Sequence, residues 1–189
     1  MYRSCYIFWA IFVWFSITGG ESKRQIVYNT IECSIKGKVF SKVDCQLYSR
    51  LAMNLAVTIG EQKADKMVVV CDVKFTYKDR QKITRIRNLN LEVCQMRKVT
   101  ERRSVLGMYY NALRRSAVNF PKKCPFEKNT TLIVNRLHFG WQEIPQYLPD
   151  SNYSFVGKIY ANKELGMELK LTGGYYDISN YSIYTKPLI

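Results

Sequence analysis

Apolar and polar residues alternate along most of this chain with a period of two. In the stretch MVVVCDVKFTY, Met67, Val69, Cys71, Val73, Phe75 and Tyr77 share one face. Val68, Val70, Asp72, Lys74 and Thr76 share the other, which grows polar toward its end. Successive strand side chains point to opposite sides, so this pattern predicts a strand with one buried face. The same alternation over 26–33, 39–48, 53–59, 132–139, 153–161 and 167–171 brings the predicted strands to seven. Lys36-Gly37-Lys38 and the segments 60–65 and 162–166 carry turn residues between them. Gly173-Gly174 reads as a further turn signal. Short strands at this spacing predict an all-β, antiparallel sandwich or barrel rather than βαβ units.

One segment breaks the period. In TERRSVLGMYYNALRRSA (100–117), Val105, Met108, Tyr109, Ala112 and Leu113 recur at helical spacing and the arginines fall mainly outside that stripe. Thr100 or Ser104 is placed to cap it, and Gly107 weakens it by about 1 kcal/mol relative to Ala. The expectation is one amphipathic helix around 101–116 interrupting a β domain, with Cys94 before it and Cys124 after it. The tyrosine-rich stretch 175–189 reads equally as a final strand or a loosely held arm.

The N-terminus sets the compartment. Arg3 precedes an apolar run over 5–17, the length of a signal core and too short for a comfortable membrane span. Thr18 and Gly20 supply small residues for a cut before Glu21. An uncleaved anchor is the competing reading. The expectation is a signal peptide at 1–20 and one secreted domain at 21–189, with no membrane span in the mature chain. Losing Arg3 from the 29 Lys and Arg leaves 28 against 15 Asp and Glu, a net +13. Lys78-Asp79-Arg80, Arg97-Lys98, Arg102-Arg103 and Arg114-Arg115 carry much of it. The bland reading is a solvated face. The sharper one is attraction to an anionic headgroup or an acidic receptor surface. Nucleic acid is not expected as a partner, since no nucleic-acid motif is present.

Candidate chemistry is sparse. The single histidine, His138, lies on a predicted strand, where a structural role is the ordinary one. There is no CxxC or HxxxH spacing, no GxSxG and no phosphate-cradling glycine loop. No catalytic residue, metal or cofactor is expected. Three sequons, at Asn129, Asn152 and Asn180, mark candidate glycan sites in a secreted chain. Beyond Cys5 of the leader, five cysteines remain: Cys33, Cys45, Cys71, Cys94 and Cys124. In an oxidising compartment most should pair. Four pair in three ways, so five with one left over allow fifteen schemes.

The order YNTIEC (28–33), VDCQL (43–47), LNLEVC (89–94), a helix, KKCPF (122–126) and LPDSNYSF (148–155) resembles a large family of small secreted insect proteins of uncharacterised function. That family is related to the ML lipid-recognition domain, whose members include ganglioside-activator and sterol-carrier proteins, and some insect relatives are linked to contact chemosensation. The resemblance covers roughly residues 26–172. It implies an immunoglobulin-like β-sandwich with the sheets splayed around an apolar ligand. It also implies that Cys33, Cys45, Cys94 and Cys124 form the disulfide framework and that Cys71 is the odd one. Cys71 lies on an apolar strand face, where a buried thiol behaves as a small hydrophobe. The preferred pairing is Cys33–Cys45, closing a hairpin across the Lys36-Gly37-Lys38 turn, and Cys94–Cys124, clipping the helical insertion. Closing a loop of about thirty residues stabilises by roughly 3–4 kcal/mol in the chain-entropy model. The chain departs from the family at 148–153, where LPDSNY replaces the usual LPxGxY.

Two functions follow as expectations. The first is a binding protein for an apolar or lipid-like ligand held between the sheets, by Val57, Ile59, Val69, Cys71, Val73, Phe75, Phe155 and Ile159, with Tyr109 and Tyr110 at the mouth and a basic rim for an acidic headgroup. Any sandwich needs such an apolar stripe, so plain core packing is the competing role of every one of these residues. The second is an extracellular interaction module with a solid core, docking as a receptor co-binder through the basic helix or the tyrosine-rich stretch.

Overall fold

The computed structural model describes residues 24–77, 82–95, 105–119, 124–144, 148–178, 186 and 188. Among the described residues eight strands run in the order β1 (Arg24–Ile35), β2 (Phe40–Ser49), β3 (Ala52–Ile59), β4 (Met67–Tyr77), β5 (Ile83–Glu92), β6 (Thr131–Leu137), β7 (Ser151–Ala161) and β8 (Glu164–Asp177). One helix, α1 (Val105–Ser116), stands between β5 and β6. The five-stranded sheet has the order β1-β8-β7-β4-β5 and the three-stranded sheet β2-β3-β6. Among the described residues all pairings are antiparallel, and the fold is a β-sandwich with one short helix. The leader, the basic residues at 78–80, 97–98 and 102–103, the helix caps Thr100 and Ser104, and Asn180 lie outside the described residues.

The inner face of the large sheet follows from register. Cross-strand rows read Ile35–Met167–Ile159–Val69–Leu91, Cys33–Leu169–Gly157–Cys71–Leu89, Ile31–Leu171–Phe155–Val73–Ile86 and Tyr28–Gly173–Tyr153–Phe75–Thr84. The small sheet answers with Phe40–Ile59, Val43–Val57–Leu132, Cys45–Leu55–Val134 and Leu47–Met53–Leu137. Burying these two faces against each other removes apolar surface from water and is the main stabilising term. Met167, Ile59, Ala112 and Ala161 are wholly buried at the centre of the resulting core.

Bulges in β1, β5 and β6 are among those that keep the alternation in phase with these faces. Asn29 is an extra residue in β1 between the Tyr28↔Gly173 and Thr30↔Thr172 pairs, so Ile26, Tyr28, Ile31 and Cys33 all look inward. In β5 an extra residue falls between Leu89 and Ile86; Asn88 there has φ 55°, and its N–H donates to Asp72 Oδ1 at 2.9 Å. In β6 an extra residue separates Val134 from Leu137. Arg136 there has φ 51°, its N–H donates to Asn54 Oδ1 at 2.8 Å, and its guanidinium lies 4.5 Å from the Tyr48 ring centroid.

The strand β5 is absent from the seven predicted strands because Ile83, Ile86 and Leu89 recur every three residues. Only the bulge turns Ile86 and Leu89 into positions on one face. Gly173-Gly174 is likewise not a turn. Both glycines sit within β8, which continues through Tyr175 to Asp177. The Tyr153 ring covers the Cα of Gly173 on the inner side, and the Tyr176 ring covers Gly174. The β7–β8 turn is the two-residue Asn162-Lys163, with φ of 50° and 73°, the signature of a type I′ hairpin. Asn162 also fastens the β3–β4 loop: Oδ1 accepts from Asp65 N–H at 2.9 Å and Lys66 N–H at 3.3 Å, and Nδ2 donates to the Lys63 carbonyl at 2.9 Å.

The disulfides are Cys33–Cys45 and Cys94–Cys124, and Cys71 is free and buried. The first does not close a hairpin. β1 and β2 belong to different sheets, because Lys36–Val39 carries the chain across the sandwich, so Cys33–Cys45 ties the two inner faces together. The second ties the end of β5 to the connector before β6. That connector is seated by Phe126, buried in the core, which exchanges two 2.9 Å backbone hydrogen bonds with Ala64.

Beyond β6, α1 and its exit segment occupy the place of a fourth strand of the small sheet. Ala117 bridges Val134, and Val118 N–H donates to the Ile133 carbonyl at 2.9 Å. Arg115 at the helix end holds the turn after β6, donating to Glu143 Oε1 at 2.8 Å and to the His138 carbonyl at 2.7 Å.

Three outcomes follow. Gly173→Ala forces a methyl into the Val27 carbonyl and to 2.7 Å from the Tyr153 hydroxyl. It lowers stability in urea unfolding by about 1–3 kcal/mol, as overpacking does; an unchanged midpoint contradicts this packing. Burial alone pushes the Glu143 carboxyl up, but hydrogen bonds from Arg115 and Gly140, with the Arg115 and His138 charges, bring it net below its ordinary range. A depressed carboxylate stabilises above its unfolded pKa, and the effect is lost as pH falls through its folded pKa. Glu143→Gln therefore lowers the thermal midpoint at neutral pH, and the difference from the native protein vanishes in acid. Burial, followed by the Asp72 charge, pushes the Cys71 thiol up to about 11. In the native protein at mildly alkaline pH it resists a thiol reagent that titrates it at once in denaturant; rapid native reaction places Cys71 elsewhere.

Candidate functional site

The candidate site is the space between the two inner faces. Val57 and Ile59 reach it from β3 and are buried. Val69, Phe155 and Ile159 pack against the same core cluster from β4 and β7. Cys71 is on the same face of β4, opposite Gly157. Val73 and Phe75 continue that face toward the β4–β5 turn and are only half-buried. Their neighbour Ile86 in β5 is 41% exposed. The predicted residues thus share one interior, densely packed around Ile59 and thinly covered at the Val73–Phe75–Ile86 end.

From α1, Tyr109 and Tyr110 are half-buried. The Tyr109 ring meets Phe139 at 5.7 Å between centroids, with the planes tilted by 53°. Its hydroxyl is pushed far up by burial, with Cys71 adding to it.

Two residues outside the predicted ligand set complete the site. Tyr28 in β1 and Tyr153 in β7 flank Gly173 in one inner row. Burial drives the Tyr28 hydroxyl well above its ordinary range, with Tyr153 and Tyr109 adding to it. Burial does the same for Tyr153, with Tyr109 and Tyr176 adding. The Tyr153 hydroxyl donates to the Val27 carbonyl at 3.3 Å. The Tyr28 hydroxyl, on a residue 2% exposed, finds no hydrogen-bond partner among the described residues. Leaving such a group unpaired costs about 1–3 kcal/mol. The signal was present: tyrosines at inward positions beside a glycine pair, in a β-sandwich whose other inward residues are apolar.

The charged and polar candidates lie elsewhere. His138 follows β6, with Nδ1 donating to the Arg136 carbonyl at 2.8 Å. Among the described residues no three His, Cys, Asp or Glu side chains are placed to share a metal ion. No described helix is long and apolar enough to cross a membrane. Asn129, before β6, and Asn152, in β7, are both exposed, and Asn152 Oδ1 accepts from the Tyr176 hydroxyl. On the outer face of the large sheet Lys74 stands directly opposite Arg85, leaving a local excess of positive charge.

No curated protein matches the chain. The profile of a family described as "Protein of unknown function (DUF1091)" matches residues 70–155. That stretch runs from the middle of β4 to the middle of β7 and takes in α1, Cys71, Tyr109 and Tyr153. A DUF1091 domain is therefore found at residues 70–155.

Proposed function

We propose that this is a secreted binding protein, or carrier, for an apolar or lipid-like ligand held between the two sheets. The observation that carries the reading is the unequal width of the sandwich. A five-stranded apolar face is answered by three strands and a helix. Its Val73–Phe75–Ile86 end is left incompletely covered. An apolar chain laid there removes that surface from water. Two disulfides fit an oxidising compartment, and the exposure of Asn129 and Asn152 is what a glycan acceptor requires. The local excess of positive charge where Lys74 stands opposite Arg85 supports contact with an anionic headgroup or an acidic receptor surface. A role in insect contact chemosensation rests on the resemblance alone.

A second reading, an extracellular interaction module, is favoured by β5. It is an edge strand of the large sheet, and Arg85 and Arg87 on it are exposed. An edge of that kind pairs readily with a partner strand of opposite charge.

The two readings separate in a chain-length series. Straight-chain alcohols should displace an apolar fluorescent dye, with affinity rising about fourfold per CH₂ (about 0.8 kcal/mol) until the space is filled. No displacement at any length leaves the interaction module as the surviving reading.

A further inference from the structure

We propose that the Tyr28 hydroxyl donates the hydrogen bond that receives the single oxygen of a neutral long-chain ligand, an alcohol, ester or ketone. This rests on the carrier reading and adds the chemical class of the ligand's polar end. Buried hydroxyls are almost always paired, and the neighbouring Tyr153 hydroxyl obeys the rule through the Val27 carbonyl. The Tyr28 hydroxyl does not, although it lies inside the same cluster. No bulge, turn or cap accounts for it; the Asn29 bulge places the ring inward but offers the hydroxyl nothing. A tyrosine would be out of place here against a phenylalanine unless something supplies an acceptor.

The surroundings select the kind of acceptor. The buried polar residues among those described are Gln25, Ser49, Ser116 and Ser151, and none is charged. The nearest basic side chain on the same strand, Arg24, is already engaged, by Asp150 at 3.7 Å and by the Leu148 carbonyl. An ionised carboxylate placed beside Tyr28 would be buried without a counter-charge, which is far costlier than burying a neutral oxygen. The three tyrosines cannot supply a negative partner for a cation either. Burial holds Tyr28, Tyr109 and Tyr153 protonated at neutral pH, so they act as neutral donors. A neutral oxygen on an apolar chain satisfies Tyr28 and buries the rest of the ligand against Phe155, Val73 and Phe75.

The test compares dodecanol, dodecyl acetate, dodecane and laurate at neutral pH, each displacing N-phenyl-1-naphthylamine from the native protein and from Tyr28→Phe. Dodecanol and dodecyl acetate should outbind dodecane by about tenfold in the native protein, with laurate weaker than either. In Tyr28→Phe the alcohol-to-alkane ratio should fall to about one while dodecane binding is unchanged. The thermal midpoint of the ligand-free variant should be unchanged or higher, since an unpaired hydroxyl has been removed. A lower midpoint means that the hydroxyl has a structural partner, and overturns the proposal. Equal binding of alcohol and alkane, or preference for laurate, overturns it while leaving the carrier reading intact. Failure of all four to displace the dye overturns both.

Discussion

Everything in this sandwich depends on covering one wide apolar face. The large sheet presents inward rows five strands across, and only three strands lie opposite. Uncovered apolar surface is costly at about 25 cal/mol per Å², so the remaining width recruits whatever the chain can place there. α1 is set beside β6, Phe126 is tucked under the connector, and the Tyr109 ring is turned onto Phe139. The Cys33–Cys45 bridge fixes the spacing where β1 passes β2. The opposite side, at Val73, Phe75 and Ile86, is where coverage runs thin, and that asymmetry gives the molecule an interior with an end to it.

Much of the architecture was legible from alternation. Six of the seven predicted strands begin or end within a few residues of the strands that form, and the seventh, 167–171, lies inside a longer β8. What was not legible traces to bulges and glycines. A single inserted residue at Asn88 disguises β5 as a three-residue repeat. The chain's crossing between sheets at Lys36–Val39 looks, in sequence, like any hairpin turn; only the pairing of β1 with β8 tells them apart. Gly173-Gly174 carries the letters of a turn but serves as two flat places on which Tyr153 and Tyr176 lie. Local residue type cannot distinguish a glycine chosen for its backbone from one chosen for its missing side chain.

The site shows the same division. Inward parity correctly placed Val57, Ile59, Val69, Cys71, Phe155 and Ile159 facing one interior. Parity says nothing about hydrogen bonding, so it passed over Tyr28, whose significance lies in one unpartnered oxygen. Cys71, which its apolar strand face marks as a small hydrophobe, is a buried thiol pushed up to about 11, opposite Gly157. The DUF1091 match spans the part of the chain that supplies the thinly covered end, from β4 through α1 to β7. β1 and β2 fall outside it.

The central claim is that this interior is occupied by an apolar molecule in the secreted protein. Native mass spectrometry of the protein taken directly from the medium of expressing cells tests it most directly. The account predicts a non-covalent adduct of a few hundred daltons, released by mild activation and extractable into organic solvent. A population at the bare polypeptide mass, with or without glycan, and no such adduct would contradict it.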